Sequence, residues 1–563
     1  MDLVAFHYDR SFVLDALRQG EIDYLEHVSE AAEADLFRHL IQRQVVQRLA
    51  ETYPTPRQKE EVPVWIYLAS ELSLKLHGAQ AYHALPRILR CGGLIEALGP
   101  ELGGRKSLHP ATGDVTLACP GFNDKNDYDR QTPCDQDFLR KFARDTETDR
   151  LHGWFSRQVP RCLRSLGLFD PEGLFIGDAS YLFVPDNEHY EQSDLLWFDE
   201  HNHPVKAEEV DLRDQRYQQH RCYKLVSLLH VNRKLDFFFV VAARVVPGRR
   251  HECPILYELV EEVARAVHKG FLKVLIVDRG LIDGERMGHL KQKWGIDTIV
   301  PLRSNMDLYA DAIGLTRLRD FAWEPYVPPA PPAPPSTASA RPLPVQKREA
   351  KRQQTLAERK AEAVASATPA VAAPAPVLAP RQTLLGLGRG LLSWSQCPVP
   401  LTAVVNRERD EYGQTQDWVL VTTAERCTAQ QIRATYELRP AIEERHRQYK
   451  CFWDLTRMHS CAFSLVVNQA LMVLLAYTLV QVHLVLRQRQ ELNRGVWEYT
   501  QRLLSPSLEV VAVYYRQRFC LLTLAEFGGI LLEIPDPARG QLREKLRRIG
   551  REQYSLLETA RSP

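Results

Sequence analysis

Lys273 to Asp278 (KVLIVD) form a continuous apolar run closed by a carboxylate. An unalternated apolar run this short reads as a strand buried on both faces, and such strands belong to parallel sheets covered by helices. The next residues agree. Asp283 to Trp294 carries a helical pattern closed by Gly295 at a C-cap position, and Asp297 to Leu302 (DTIVPL) returns as a strand. Strand, helix and strand in that order imply a parallel pair with a crossover. Upstream, Gly173 to Val184 (GLFIGDASYLFV) and Asp194 to Asp199 read as strands. Cys222 to Val231 and Lys234 to Val246 read as a hairpin turning at Asn232-Arg233, and Cys253 to Lys269 as a helix. The expected fold class is α/β, built on a mixed sheet.

Composition sets the scale. The chain has 563 residues, 45% of them apolar and 25% charged, with a formal net charge of +1. That is globular, long enough for two to four domains, and excludes a disordered chain or a small disulfide scaffold. Near-neutrality neither supports nor excludes a nucleic-acid partner, because a basic surface can be balanced elsewhere. Eleven cysteines without a CxxC pair, and a start (MDLVAFHYDR) without a signal-peptide pattern, fit a reducing cytoplasm. Ala462 to Leu486 is apolar enough to raise a membrane question, but Asn468, Gln469, Gln481 and His483 lie inside it. A buried core helix is the better reading, with no membrane.

Residues 1–150 read as a helical region, with short helices between Val62 and Leu98 and a polar loop from Gly103 to Pro133. His109, Cys119 and Cys134 there lack the spacing of a zinc site. Thirteen of the 35 prolines fall between Pro325 and Pro380, so 325–383 reads as a Pro/Ala-rich linker. It divides a core (151–324 and 428–486) from a β-strand insertion (384–427). Pro400 to Asn406 and Asp417 to Thr423 are the insertion's strands, and Thr428 with Gln431 forms a capping box that opens a helix. Residues 487–563 read as a helical end. His201 and His203 form a pair in a polar turn, with a metal site the weaker reading.

Three acids stand out. Asp178 interrupts the first apolar strand, and Asp278 ends the buried one at the sheet edge where ligands bind in parallel sheets. The third lies in a helical segment. Tyr436, Arg439, Glu443 and Lys450 fall at roughly 0°, 300°, 340° and 320° around an ideal helix, one sector of about 60°. Each acid alone reads most simply as a cap or an ion pair, and the helix face as solvated. The coincidence of a four-turn face with two strand-associated acids argues for more. Pro440 lies inside the segment and should kink or split the helix.

The pattern Y-x2-R-x3-E-x6-K, with Asp278 in IVDRG and Asp178 in GDASY, resembles DDE transposases of the insertion sequence 4 family. The resemblance covers roughly 172–310 and 400–486. One departure is Ala179, where many members carry Thr after the first Asp. The resemblance implies a ribonuclease-H-like core with a β-rich insertion, which fits the roughly 165 residues between Asp278 and Glu443. It implies Asp178, Asp278 and Glu443 as catalytic carboxylates holding two Mg²⁺ ions (Mn²⁺ as substitute), with Asp178 bridging. Tyr436, Arg439 and Lys450 would hold DNA phosphates. For Trp418 two readings stay level: a side chain packed in its sheet, or one stacking on a flipped base. The implied activity is cleavage of insertion-sequence ends and transfer of the 3′ ends into target DNA, by cut-and-paste. The implied partners are double-stranded DNA (terminal inverted repeats and target) and a second copy of the chain in a synaptic dimer. The flanking regions would bind ends and dimerise. The rival readings are a decayed end-binding relative and a ribonuclease-H-like nuclease without strand transfer.

Overall fold

The structure, a computed structural model, describes residues 7–31, 33–58, 64–76, 78, 81–84, 105–108, 115–118, 136–210, 216–329, 382–410, 413–488, 506–516 and 518–559. His109, Cys119, Cys134 and most of the Pro/Ala-rich segment lie outside these. The chain forms two compact units: Met1–Val300 with Gln396–Val399 and Glu437–Pro563, and Pro301–Ser395 with Pro400–Tyr436.

The first unit is built on the expected mixed sheet. Strand Leu174–Val184 pairs parallel with Val274–Val277, which pairs parallel with Asp297–Pro301. On its other side Leu174–Val184 runs antiparallel to Gln218–Asn232, and that strand pairs with Phe237–Pro247 as the expected hairpin. Leu275, Ile276 and Val277 are fully buried, as the apolar run requires. Helix Glu252–Val267 covers one face. A Cβ on Gly177 would lie 2.6 Å from the Leu256 side chain, so only glycine lets the helix approach so closely. Because side chains alternate along a strand, Asp178 is turned to the opposite face. Its cross-strand partner is Ser227, whose hydroxyl lies 2.9 Å from His446 Nε2 on helix Pro440–Phe452. The crossover helix is shorter than expected. Gly284–His289 is α-helical, Leu290–Trp294 is a π turn, and Gly295 closes it at φ 71°.

Helix Phe463–Leu486 is the buried apolar helix, and 94% of its most apolar window is inside the protein. Most of its polar groups find partners there, although Gln481 Nε2 is buried without one among the described residues. Asn468 accepts from Tyr67 Oη and donates to Glu71, and Gln481 Oε1 accepts the Phe238 N–H at 3.1 Å. Thr478 donates to the Val240 carbonyl, and His152 Nε2 accepts the Val245 N–H. Side chains of two helices thus occupy backbone groups of strand Phe237–Pro247, which would otherwise be an open sheet edge.

The flanks differ from the helical regions expected. Strands His7–Tyr8, Arg518–Thr523, Pro506–Tyr515 and Tyr24–Ala31 form one four-stranded sheet, in that order, from both ends of the chain. Val13, Leu17 and Ile22 share its core with Val513, Cys520, Leu522 and Leu542. Pro506–Tyr515 and Arg518–Thr523 pair as a hairpin, but His7–Tyr8 and Tyr24–Ala31 join them from the other end of the chain, a pairing that local periodicity does not carry.

The second unit is an antiparallel sheet of Trp323–Pro325, Gln382–Leu391, Leu401–Arg409 and Thr415–Thr422, with helices Asp307–Leu315 and Ala429–Tyr436. It opens at Pro301, earlier than the insertion expected from 384, and the Pro/Ala-rich segment departs from and returns to this one unit. The Tyr326 N–H donates to the Thr383 carbonyl at 2.8 Å. The capping box is formed: Thr428 N–H to Gln431 Oε1 at 3.0 Å, Gln431 N–H to Thr428 Oγ1 at 3.2 Å.

Candidate active site

Asp178, Asp278 and Glu443 arrive from three elements of the first unit. Asp178 sits in mid-strand, its Oδ1 accepting the Ala179 N–H at 2.8 Å. Asp278 follows strand Val274–Val277 at the start of a single 3₁₀ turn, and its carboxylate does not cap that turn. Glu443 lies in the first turn of Pro440–Phe452. Pro440 takes the first helical position, where its missing N–H is no loss, and the segment splits there as expected.

Arg439 ties the acids together. Its guanidinium is 2.6 Å from Glu443 Oε1 and 3.5 Å from Asp278 Oδ2, and its side chain is only 18% exposed. Glu443 is 54% exposed, so the cluster opens to solvent on its side. Burial pushes the Asp178 carboxyl up to about 6; the Ala179 N–H and Arg439 oppose this, while Asp278 and Glu443 reinforce it. Three carboxylates therefore share one field, with Arg439 as their internal cation. Among the described residues no three His, Cys, Asp or Glu side chains stand close enough to form a ready-made metal cage.

Lys450 lies two turns beyond Glu443. Its ammonium donates to Ser180 Oγ at 2.6 Å, two residues after Asp178 on the same strand face. Burial pushes Lys450 down to about 8, against the pull of Cys451 and Asp178. Ser180, Ser227 and His446 were not legible as site residues in the sequence. Only their spacing from Asp178 and Glu443 could have pointed to them. His446, held neutral by burial and the neighbouring cations Lys450 and Arg439, fixes the Glu443 helix to the strand opposite Asp178.

Tyr436 and Trp418 belong to the second unit. Their rings lie 6.0 Å apart, the Arg433 guanidinium stands 4.8 Å over Trp418, and the Trp418 Nε1–H donates to Glu408 at 3.0 Å. Trp418 is partly buried, so this geometry holds it in the sheet and leaves part of the ring uncovered. His201 and His203 form the expected polar turn: Asp199 Oδ1 accepts both backbone N–H groups.

No curated protein matches this chain. A family profile described as the transposase DDE domain matches residues 192–479, just over half of the chain. The matched span contains Asp278, Arg439, Glu443 and Lys450 and begins after Asp178. What groups Asp178 with the other two acids is therefore the strand pairing and the shared field described above. With this match and its ribonuclease-H-like mixed α/β fold, the chain belongs to the transposase DDE family.

Proposed function

We propose that this transposase cleaves the ends of an insertion sequence of the insertion sequence 4 type and joins their 3′ hydroxyls to target DNA, by cut-and-paste. The observation that supports it best is the cluster itself, Asp178, Asp278 and Glu443 around Arg439. The donor set fits Mg²⁺ or Mn²⁺, because it is all carboxylate oxygen and its mutual repulsion favours a cation. Asp178, Asp278 and Glu443 would be the residues that hold the metal. The chemistry supplied by metal held there would be activation of the attacking oxygen and stabilisation of the leaving one.

The chain's own groups do the rest. Lys450, anchored on Ser180, presents a positive charge beside Asp178 for a phosphate of the bound strand. Arg439, once released from the acids, reaches the same backbone with a planar fork. On the second unit, Tyr436 would offer DNA a hydroxyl donor and Trp418 a partly buried ring for an unstacked base. Two ends cut together call for two copies of the chain, with the flanking regions as the surfaces that grip ends and pair protomers. The eight free cysteines among the described residues fit the reducing cytoplasm where the substrate DNA lies.

The test is cleavage of end-labelled DNA carrying the gene's own flanks, with and without Mg²⁺. Wild-type protein should make metal-dependent cuts at matching inverted ends and join them to a target plasmid. Glu443→Ala should lower cutting at least 1000-fold while still binding those ends. Cleavage by the variant at the wild-type rate would remove Glu443 from the site. Nicking without joining would favour the nuclease reading, and binding without cutting by either protein the decayed relative.

A further inference from the structure

Helix Thr148–Ser165 carries four arginines and no acid between Arg150 and Phe169. Arg150, Arg157, Arg161 and Arg164 are all exposed. At about 100° per residue they fall within roughly 60° of one another, a stripe about 21 Å long. The opposite face is core: Leu151, Trp154, Phe155, Val159 and Leu163 are buried. Burial therefore fixes which way the stripe points.

The charged face of helix Glu252–Val267, by contrast, mixes signs. There Arg265 pairs with Glu261, while Glu258 and Glu262 hold Arg244. On the stripe, Arg157 and Arg161 have no carboxylate within ion-pair distance among the described residues. The Arg157 guanidinium lies back over Gly153, 3.0 Å from where a Cβ would stand, so the glycine leaves it room. Arg164 stands 5.0 Å over the Phe271 ring, and Arg150 has one loose contact with Glu147 at 3.9 Å. Arg48, from helix Val45–Glu51, donates to Ser165 Oγ and adds a fifth guanidinium at the far end. Like charges three and four residues apart weaken a helix. In a chain of net charge +1, such a row marks a surface shaped for a polyanion.

We infer that this arginine stripe binds the phosphate backbone of duplex DNA, as a contact separate from the acid cluster. Laid along one strand, where successive phosphates stand about 7 Å apart, a stripe of this length faces about four phosphates, and guanidinium forks suit phosphate oxygens. Such contacts position DNA without reading its sequence. The inference rests on the proposed action on DNA.

The test uses the full-length protein and a fluorescent 30-base-pair duplex of unrelated sequence, titrated over a range of salt. The proteins are wild type, the double variant Arg157→Gln with Arg161→Gln, and Arg265→Gln as a paired-arginine control. The double variant should bind about tenfold more weakly, and its slope of log affinity against log salt should shrink by about two. The control should match wild type, and all three should share one urea midpoint, since the changed residues are exposed. Equal affinity and slope for the double variant would overturn the stripe alone. Failure of the wild-type protein to bind any duplex would overturn the DNA reading and the stripe with it.

Discussion

Arg439 holds two roles that cannot be filled at once. It is the counter-ion of Asp278 and Glu443, and it is a signature residue proposed to grip phosphate. A divalent ion held by these acids, as proposed, would compete with the Arg439 guanidinium for the same carboxylate oxygens. Arg439→Gln removes that competitor. Stabilisation by Mn²⁺, read as the rise in melting temperature, should then reach its midpoint at a several-fold lower ion concentration. DNA cleavage should still fall at least tenfold, because the phosphate contact is gone. An unchanged Mn²⁺ midpoint would mean that the ion pairs do not compete with metal. The sequence showed half of this arrangement: Arg439 and Glu443 are four residues apart on one face. The other half was hidden, because nothing local says that Asp278 lies within reach of the same guanidinium.

At the scale of the element, buried histidines lock helices and strands together, and they make that locking pH-dependent. His230 donates from Nδ1 to the Leu174 carbonyl and accepts the Asp170 N–H at Nε2, which fixes it as neutral. Burial pushes His230 down to about 4, and His152 and His446 to about 3. In the unfolded chain each takes up its proton near pH 6.5. Stability from the neutral forms is therefore complete above pH 6.5 and lost as pH falls toward 4. Asp178, pushed up to about 6, works the other way, since the folded state binds that proton first, and it offsets about one of the three. The net slope near pH 5 should approach about 2.7 kcal/mol per pH unit, two protons at about 1.4 each. Urea midpoints at pH 7.5, 6 and 5 should fall accordingly, and His230→Gln should roughly halve the drop. A flat profile would show that these histidines are not held neutral. The core elements themselves were legible because burial leaves an apolar signature: KVLIVD, the hairpin at Asn232-Arg233 and the split at Pro440 all appear where local chemistry demands. The terminal sheet was not legible. His7–Tyr8 is too short to carry a period, and Tyr24–Ala31 finds its partner in the last 60 residues.

At the scale of the whole molecule, the Pro/Ala-rich segment looked like a tether between domains, yet its two ends meet on one sheet. Trp323–Pro325 pairs antiparallel with Gln382–Leu391, and the Tyr326 N–H reaches Thr383. Chain that leaves and re-enters a single sheet edge does not set the spacing of anything else in the first-order case. Its thermodynamic effect is the entropy of closing the loop, which grows by about 0.6 kcal/mol for each doubling of length. Replacing residues 330–381, about 50 residues, with eight Gly and Ser residues shortens that loop by between two and three doublings. The second unit should then gain about 1.6 kcal/mol, seen as a higher urea midpoint for a signal from Trp323 or Trp418. Metal-dependent cleavage should persist at the wild-type level, since every acid and every signature residue lies outside the deletion. Loss of cleavage with the midpoint intact would instead give the segment's lysines and arginines, among them Lys347, Arg348, Lys351 and Arg352, a direct part in holding DNA.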